Sequence, residues 1–410
     1  MNSNNTQKKL SIIYVTNNYK PYAGGVVSSI DAFRKQLERE GHTVTVVTLD
    51  FLGIPETDRS VVRLWSPIRF KYRENYYAVP LFSDWQMQRI FTLHKPDIVH
   101  IHHPFLLGFT ALCLARKQNI PVFFTYHSQY VNYVQHYISS SFVWARVLTF
   151  LVFILRWLIS KRIAWVFAHV TALVVPTESI KQELTRIYTL DTLENCVVIP
   201  TGIAEIFVHK NVPVKNSGDY VDVITVSRFT SEKNLFFLLD MFFELCFRSG
   251  QKDGKTYRLT LVGFGYLEYE LKKYAYEFLK LTKEQVRFIL RPEKQELASL
   301  YTQASVFVFG SITETQAIVL AESMAAGTPV IALDACGARD IVISGVNGFL
   351  VRDKYEMCEK ITMLVGSQKN SKLYQKLSEN AFKTAEKYKI SEVTQELLGQ
   401  YYRAIKISKK

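Results

Sequence analysis

Short apolar runs, most of them followed by a helical pattern, recur along the chain and restrict its fold more than any other feature. In the first half these runs occupy 10–16, 43–49, 97–102, 121–127 and 172–177. The second series occupies 222–228, 258–265, 286–291, 305–310 and 329–333, and only its last run has no helical pattern after it. Continuous β-branched runs are typical of parallel sheets covered on both faces. The sequence therefore predicts an α/β protein with two doubly wound, Rossmann-like domains facing a cleft at the strand carboxyl ends.

The length of the chain agrees with two domains. A chain of 410 residues exceeds one ordinary core, and its content of 48% hydrophobic and 21% charged residues is that of an ordered globular protein. The polar stretch 209–220 is interpreted as a linker. We expect domains at 1–207 and 208–387, and the amphipathic segment 388–410 could return to the first domain.

Positive charge is concentrated in one quarter of the chain. The formal net charge is +13, and residues 60–165 hold twelve Lys and Arg against three acidic residues, a net of +9. Such a patch implies an anionic partner, which could be nucleic acid, an anionic lipid surface or a phosphorylated substrate. Scattered cysteines and a polar N-terminus without the apolar core of a signal peptide predict a cytoplasmic protein.

The stretch 314–328, ETQAIVLAESMAAGT, is mostly apolar but carries Glu314 and Glu322. If both stand on one helix, they are separated by a rotation of about 80° and a rise of about 12 Å. Carboxylates so placed could accept hydrogen bonds from two hydroxyl-bearing parts of one extended ligand, such as a sugar and a ribose. The alternative is that both are solvated on an amphipathic face.

Glycine-rich turns follow two of the expected strands. Gly24 and Gly25 would let backbone N–H groups approach a phosphate at a helix N-terminus, although the turn could equally be a tight strand–helix connection. Gly263 and Gly265 form a similar turn, which is weak evidence by itself.

Charged and histidine side chains also follow expected strands. Arg228 and Lys233 could meet a diphosphate, or could simply be solvated. His127 could hydrogen-bond a sugar, serve in proton transfer or be structural, and His102 and His103 are ambiguous for the same reason. The spacing of His, Asp and Glu matches no metal motif.

The segment 139–170 combines tryptophan with cations. Its longest run without charge, 147–155, is too short to span a bilayer, which needs roughly 20 apolar residues. An interfacial helix on an anionic membrane is the favoured interpretation, and a core helix or a dimer interface are the alternatives. The expected membrane-binding residues are Trp144, Arg146, Arg156, Trp157, Lys161 and Arg162.

Together these stretches resemble family 4 of the GT-B glycosyltransferases, which are retaining enzymes that use nucleotide sugars. The resemblance covers nearly the whole chain, and its most specific part is the family's E-x7-E signature in TETQAIVLAESMAAGTPVIA. Within the family, GVVSS, HHPFLLG and TETQ most resemble glucosyltransferases that act on diacylglycerol.

The resemblance implies a role for each matching position. Gly25 and its neighbours, Arg228 and Lys233 would hold the donor diphosphate, Glu314 the transferred sugar and Glu322 the ribose. His127 would contact the sugar near the reaction centre. Backbone N–H groups of the segment Thr315, Gln316 and Ala317 would point at the sugar and phosphate. Such enzymes need no metal or other cofactor, because cations and helix N-termini neutralise the leaving diphosphate.

Two positions depart from the family pattern. Ala317 stands where relatives often have Gly, and Ala204 follows TGI where Asp is common. These departures put the donor identity in doubt more than the activity.

The resulting hypothesis is transfer of a sugar, expected to be glucose from UDP-glucose, to a membrane lipid hydroxyl, with diacylglycerol as first choice. The enzyme would be peripheral on the inner face of the membrane and would not bind nucleic acid, since no RRM, KH or helix-turn-helix signature is present. Alternatives are a transferase of polysaccharide or lipopolysaccharide-core synthesis, a phosphatidylinositol mannosyltransferase, a nucleotide-sugar enzyme that is not a transferase, and a basic nucleic-acid-binding protein. The sequence leaves the oligomeric state open.

Overall fold

The structure is a computed structural model, and it describes residues 8–21, 24–51, 56–72, 75–127, 145–188, 193–208, 220–249, 256–365 and 371–408. The chain forms two compact units. Unit 1 comprises Met1–Pro200 and Thr394–Lys410, and unit 2 comprises Thr201–Val393. These boundaries differ by a few residues from the expected ones at 207/208 and 387/388.

The described residues of unit 1 form nine strands, five helices and the greater part of a sixth. The strands are β1 (Ser11–Val15), β2 (Thr43–Leu49), β3 (Val61–Leu64), β4 (Ile68–Tyr72), β5 (Asn75–Val79), β6 (Ile98–Ile101), β7 (Val122–Thr125), β8 (Ala172–Val175) and β9 (Cys196–Val198). The helices are α1 (Gly25–Arg39), α2 (Ser83–His94), α3 (Leu107–Lys117), α4 (Ala145–His169) and α5 (Glu178–Ile187), and residues 394–408 lie in a helix described below.

Seven of these strands form one parallel sheet in the order β3-β2-β1-β6-β7-β8-β9. Its central strands are buried along their whole length, with β6 and β8 showing no exposed position. This explains why they are continuously apolar in sequence, since a strand buried on both faces has no polar side. Strands β4 and β5 form a separate antiparallel hairpin that the sequence analysis did not predict.

The described part of unit 2 repeats the architecture with six strands. They are β10 (Tyr220–Arg228), β11 (Thr256–Phe264), β12 (Val286–Leu290), β13 (Val306–Phe309), β14 (Val330–Leu333) and β15 (Gly348–Val351). The helices are α6 (Leu235–Ser249), α7 (Glu268–Lys273), α8 (Lys294–Gln303), α9 (Ile318–Ala325), α10 (Lys354–Val365), α11 (Ser371–Glu386) and α12 (Ile390–Ser408), of which α12 lies mainly in unit 1.

The second sheet is also parallel, in the order β12-β11-β10-β13-β14-β15. Alternate residues of β10 enter two different cores, so that Val223 packs with Leu238 and Leu259, whereas Ile224 packs with Phe307. A core on each face is the signature of a doubly wound sheet. The two Rossmann-like units predicted from the sequence are therefore confirmed.

One sequence interpretation is wrong in detail. A single helix was expected to start directly after the strand at 305–310 and to carry both glutamates. Helix α9 begins only at Ile318, so Glu322 is helical and Glu314 lies in the loop that follows β13. The expected linker at 209–220 lies, apart from Tyr220, outside the described residues.

Candidate functional site

Each sheet has one point where the strand order reverses. In unit 1 this point lies between β1 and β6, and in unit 2 between β10 and β13. The loops that leave two such strands run in opposite directions and leave a crevice outside the carboxyl ends, which is where open α/β sheets bind ligands. Most of the predicted site residues follow one of these four strands.

In unit 2 the loops after β10 and β13 are bound to each other. A short 3₁₀ helix, Ser231–Lys233, follows β10 and brings the Lys233 ammonium into an ion pair with Oε1 of Glu314. Nearby, Asn234 Nδ2 donates to the Gly310 carbonyl oxygen at 3.1 Å, and Ser311 Oγ donates to the Glu232 carbonyl oxygen at 3.0 Å. The ion pair is thus held between two tied loops.

The Lys233–Glu314 pair is largely withdrawn from water. The two side chains are 14% and 16% exposed. Withdrawal from solvent strengthens the attraction between opposite charges, but it also makes either charge costly without its partner. The alternative that Glu314 is a solvated surface residue is therefore wrong.

The loop position of Glu314 has a local cause. Thr313 pairs with Cys336 in an isolated parallel bridge, which keeps the chain extended at this point. Gly337 has a φ of +80°, and a Cβ at this position would lie 2.7 Å from the Cβ of Glu314. The turn at 336–337 therefore packs closely against Glu314, which lies in the loop before Ile318.

The segment between Glu314 and α9 is partly structural. Gln316 is buried, its Oε1 accepts from the Thr201 N–H at 2.7 Å, and its Nε2 donates to the Thr201 carbonyl oxygen at 3.3 Å. Ala317 is buried at the N-cap of α9, and Thr315 is half-buried. The Gln316 side chain thus holds this loop in place, while the contact of the 315–317 N–H groups with a donor stays a prediction.

Glu322 lies on the second turn of α9 and is half-buried. Tyr301, which is fully buried, donates its hydroxyl to Glu322 Oε2 at 2.9 Å. Burial raises the pKa of Glu322 to about 7, although the hydrogen bond from Tyr301 acts in the opposite direction. The carboxyl group therefore changes its protonation state near neutral pH, and only the ionised form accepts hydrogen bonds with both oxygens.

Arg228, at the end of β10, forms an ion pair with Glu232 at 2.9 Å and is 42% exposed. Gly263, near the end of β11, and Gly265, directly after it, are required by packing. A Cβ at Gly263 would lie 1.8 Å from the Ser227 carbonyl oxygen, and one at Gly265 would lie 2.3 Å from the Phe229 carbonyl oxygen. These glycines let the loops after β10 and β11 lie side by side, and their contact with a donor stays a prediction.

In unit 1 the glycines after β1 differ from those in unit 2. A Cβ built on Gly24 or Gly25 meets no atom of the described chain within 4 Å, and no side chain caps the N-terminus of α1 in the described structure. Packing therefore does not require glycine here. Open space and uncapped N–H groups at a helix N-terminus are what an anionic ligand needs.

Four histidines gather at the carboxyl ends of β6 and β7. Nδ1 of His102 and Nε2 of His127 lie 2.9 Å apart, and the two rings stack with centroids at 5.2 Å. The His102 ring also stacks on His100 at 4.5 Å. His103 turns toward β1, where its Nδ1 lies 3.1 Å from Thr16 Oγ1.

The cluster is anchored by the C-terminal helix. His100 Nδ1 lies 2.5 Å from the hydroxyl of Tyr401 on α12, and His100 Nε2 lies 2.6 Å from Thr125 Oγ1. Tyr401 is fully buried and also lies edge-on to Phe123 at 4.7 Å. A chain of contacts thus runs from α12 through His100 and His102 to His127.

Burial keeps these histidines neutral. It lowers the pKa of His127 and of His100 to about 3 and that of His103 to about 4. The pKa of His102 is lowered as well, by burial and by the neighbouring histidines. A base with a pKa near 3 is weak at neutral pH, so His127 is suited to hydrogen bonding rather than to proton transfer.

Helix α4 places the expected membrane-binding residues on different faces. Ile154, Trp157, Leu158 and Lys161 are exposed at helical spacing, whereas the Arg162 guanidinium lies over the Phe109 ring of α3 at 3.2 Å. Arg156 is half-exposed, Trp144 lies outside the described residues, and Arg146 lies on α4 with its side chain undescribed. The helix therefore has both a core face and an exposed apolar stripe.

Two further findings concern membrane crossing and metal binding. No helix in the described part of the chain is both long and apolar enough to cross a bilayer. Within the same residues, no three His, Cys, Asp or Glu side chains converge as a metal site would require.

Two family models match the two halves of this chain. "Glycosyltransferase Family 4" matches residues 23–205, and "Glycosyl transferases group 1" matches residues 209–384. The chain is 28% identical over 331 residues to the alpha-monoglucosyldiacylglycerol synthase of Streptococcus pneumoniae, covering 77% of this chain and 69% of that protein. It is 27% identical to the synthase of the same name from Acholeplasma laidlawii, covering 88% and 89% of the two chains.

Solved structures agree on the fold. Sucrose-phosphate synthase from Thermosynechococcus elongatus superposes with a TM-score of 0.72 at 19% identity, covering 97% of this chain and 99% of that one. Anabaena HepE, solved with UDP and glucose, gives 0.70 at 15% identity, covering 96% and 100%. The two family models match the two halves of the chain, and the solved structures share its fold of two Rossmann-like units, which is the GT-B fold. This chain therefore belongs to the family 4 glycosyltransferases.

Proposed function

We propose that this glycosyltransferase moves glucose from UDP-glucose to the hydroxyl of a membrane lipid, with diacylglycerol as the acceptor and with retention of the anomeric configuration. The proposal is supported by the two relatives named as alpha-monoglucosyldiacylglycerol synthases, which match over most of this chain. The observation that carries it is the Lys233–Glu314 pair at the strand reversal of unit 2.

The pair offers two kinds of contact with a nucleotide sugar. The Lys233 ammonium is a cation for the diphosphate, and the Glu314 carboxylate is an acceptor for sugar hydroxyls. In the ion pair each charge neutralises the other, and the tied loops after β10 and β13 hold both side chains in place. A donor that brings both a diphosphate and hydroxyls can replace each half of the ion pair with a matching group.

The other residues of unit 2 take roles that fit their surroundings. We propose that Glu322 in its ionised form accepts hydrogen bonds from the ribose, with Tyr301 holding one carboxylate oxygen. Arg228 is proposed to add positive charge for the diphosphate. The N–H groups before α9 would assist, so that side chains and a helix N-terminus, rather than a metal cofactor, neutralise the leaving group.

Unit 1 contributes neutral hydrogen-bonding groups in this proposal. His127 would bind a sugar hydroxyl, fixed in orientation by its contact with His102. Gly24 and Gly25 would leave their N–H groups open to a phosphate oxygen. Because His127 is a weak base, we propose that the leaving phosphate takes the acceptor's proton in a front-face attack.

In this proposal α4 contacts the membrane that contains the acceptor lipid. Its exposed stripe of Ile154, Trp157 and Leu158 with Lys161 suits a peripheral contact with an anionic membrane, which we propose to be the inner face of the cytoplasmic membrane.

The test is a donor and acceptor assay. Purified protein is incubated with a panel of radiolabelled nucleotide sugars and with vesicles that contain diacylglycerol, and the lipid is then extracted. The proposal expects label in the organic phase from UDP-glucose alone. Label that stays in water, or that reaches lipid only from another nucleotide sugar, would overturn the proposed acceptor or donor respectively.

A further inference from the structure

The β4–β5 hairpin of unit 1 has two unlike faces. Its inner face packs on the unit, where Ala78 is buried and Arg69 forms an ion pair with Asp50 at 2.5 Å. Its outer face carries two apolar pairs, of which the first is Ile68 opposite Val79. Both of these aliphatic residues are exposed, at 55% and 39%.

Aromatic side chains continue this outer face. Phe70 and Tyr77 stack across the two strands with centroids at 5.2 Å, and they are 52% and 39% exposed. Because side chains alternate along a strand, all four outer residues point to the same side. A contiguous apolar face exposed to water is typical of an interaction site, so we expect this face of the hairpin to contact a partner.

The apolar surface extends onto the start of α2. Leu81, Phe82 and Trp85 are 41%, 74% and 62% exposed, and Trp65 is 52% exposed. The Gln86 side chain bonds to the backbone of both Trp65 and Leu81, which joins these segments into one surface. A groove of about 710 Å³ between β3 and α2 continues it past Trp85. We call the whole the hairpin surface: Trp65, Ile68, Phe70, Tyr77, Val79, Leu81, Phe82 and Trp85.

The charges beside the hairpin surface are positive. Helix α2 contacts α3 through Ser83 and Thr110, and α3 contacts α4 through Phe109 and Arg162. These three helices together contain seven Lys or Arg and one acidic residue, Asp84. The described cations that are exposed on this layer are Arg89, Arg116, Lys117 and Lys161.

We propose that the hairpin surface is a second membrane-docking surface, which enters the interface of an anionic bilayer alongside the exposed stripe of α4. Tryptophan and tyrosine rings prefer the depth of the lipid headgroups, and surrounding cations attract anionic lipid. The Arg89 guanidinium lies 4.9 Å from the Trp85 ring centroid, so the surface pairs a cation with an aromatic ring at its edge. This inference deepens the proposed lipid glycosylation and rests on it for its biological purpose.

Charge complementarity selects the bilayer over a second copy of the chain. A symmetric dimer through this layer would bring two positively charged helix layers together, and the like charges would repel. An anionic bilayer meets the same layer with opposite charge. The exposed aromatic residues of the hairpin surface also supply apolar area that would be removed from water on binding to a bilayer, as peripheral membrane binding requires.

The experiment compares two triple variants with the wild type. The test variant is Phe70→Ser, Phe82→Ser and Trp85→Ser, and the matched control is Phe247→Ser, Tyr269→Ser and Phe278→Ser, which removes aromatic rings that are 64%, 71% and 71% exposed in unit 2. Each protein is sedimented with vesicles of phosphatidylcholine containing about one third phosphatidylglycerol. We expect the test variant to bind at least about 10-fold more weakly than the wild type and the control to bind like the wild type.

Fluorescence gives a second reading with the native side chains. All five tryptophans lie between residues 65 and 165, so a Trp144→Phe, Trp157→Phe and Trp165→Phe variant keeps only Trp65 and Trp85. Vesicles with brominated acyl chains should quench this emission. A test variant that sediments like the wild type, or absent quenching of Trp65 and Trp85 in bound protein, would overturn the proposal.

Two further outcomes separate a membrane contact from a dimer contact, and this inference from the proposed function. Loss of a dimer in the test variant, with unchanged vesicle binding, would assign the surface to a second copy and overturn the proposal. Neither readout requires sugar transfer. Vesicle binding that depends on the hairpin surface, in a protein without lipid glycosylation, would uphold this inference and overturn only the proposed function.

Discussion

The two strand reversals of this enzyme occupy equivalent places in equivalent folds, yet they carry opposite kinds of chemistry. The reversal in unit 2 holds full charges, with Lys233 paired to Glu314 and Arg228 paired to Glu232. The reversal in unit 1 holds histidines that burial keeps neutral, together with open glycines. The fold therefore fixes where a ligand binds, while the loop residues decide whether that place attracts charge or only makes hydrogen bonds.

The largest effect is expected from removing the cation of unit 2. Lys233→Met should lower kcat/KM by about 1,000-fold, because it removes the positive charge for the diphosphate and leaves Glu314 unpaired in a largely buried place. Steady-state kinetics with UDP-glucose measure this. Lys272→Met is the matched control, since that lysine pairs with Glu268 at 2.6 Å on the surface of α7. Equal losses of kcat/KM in the two variants would show that Lys233 has no special role at the strand reversal of unit 2.

A smaller effect is expected where unit 1 orients a neutral ring. His102→Leu should lower kcat/KM by about 30-fold, because His127 loses the group that fixes its tautomer and orientation. His102→Asn should recover most of the rate, since its side-chain amide can occupy the place of Nδ1. Nitrogen NMR of His127 should show one neutral tautomer in the wild type and in the Asn variant, but a mixture in the Leu variant. If the Asn and Leu variants behave alike, His102 acts by packing alone.

The pH dependence of donor binding sharpens the comparison further. The pKa of Glu322 is raised to about 7, and we expect ribose hydroxyls to favour the ionised carboxylate, so that donor binding displaces a proton at low pH. The Kd of UDP-glucose should therefore be about 10-fold higher at pH 6 than at pH 8. Calorimetry on the wild type and on Glu322→Gln checks this, and the variant should show a flat profile.

The buried histidines at the carboxyl ends of β6 and β7 should add nothing to that profile. Burial lowers the pKa of His100 and His127 to about 3 and that of His103 to about 4, so these three stay neutral from pH 6 to 8. His127→Gln should keep the pH dependence of the wild type while lowering kcat/KM by about 10-fold through a weaker contact with the sugar. A limb of the pH–rate profile that disappears with His127 would contradict its neutral role.

Local patterns in the sequence were enough to predict the two sheets, because buried parallel strands are continuously apolar and are followed by helices. They also led to Glu314 and Lys233, since polar residues after such strands lie at the binding edge. The start of α9 was missed because Thr315, Gln316 and Ala317, which separate Glu314 from the helix, include neither Gly nor Pro and so give no local sign that the helix begins later. The Thr313–Cys336 bridge, which keeps the chain extended just before Glu314, is a tertiary contact that no local pattern contains.

Two further features could not be read from neighbouring residues. The contact between His100 and Tyr401 joins positions 301 residues apart, so the anchoring of the histidines by α12 has no local signal. The β4–β5 hairpin has no glycine at its turn and is rich in tyrosine and arginine, so it lacks the usual signs of a hairpin. Both features depend on how distant parts of unit 1 pack.

The central claim is that Glu314 binds the sugar to be transferred and Lys233 binds the diphosphate. The most direct measurement compares Glu314→Gln with the wild type, using turnover of UDP-glucose in the presence of diacylglycerol vesicles and the Kd of UDP in their absence. The account predicts that turnover falls by at least about 100-fold while the Kd of UDP changes by less than about threefold, since UDP has no transferred sugar. Turnover near that of the wild type, or an equal loss of UDP binding, would contradict the assignment of Glu314 to the sugar.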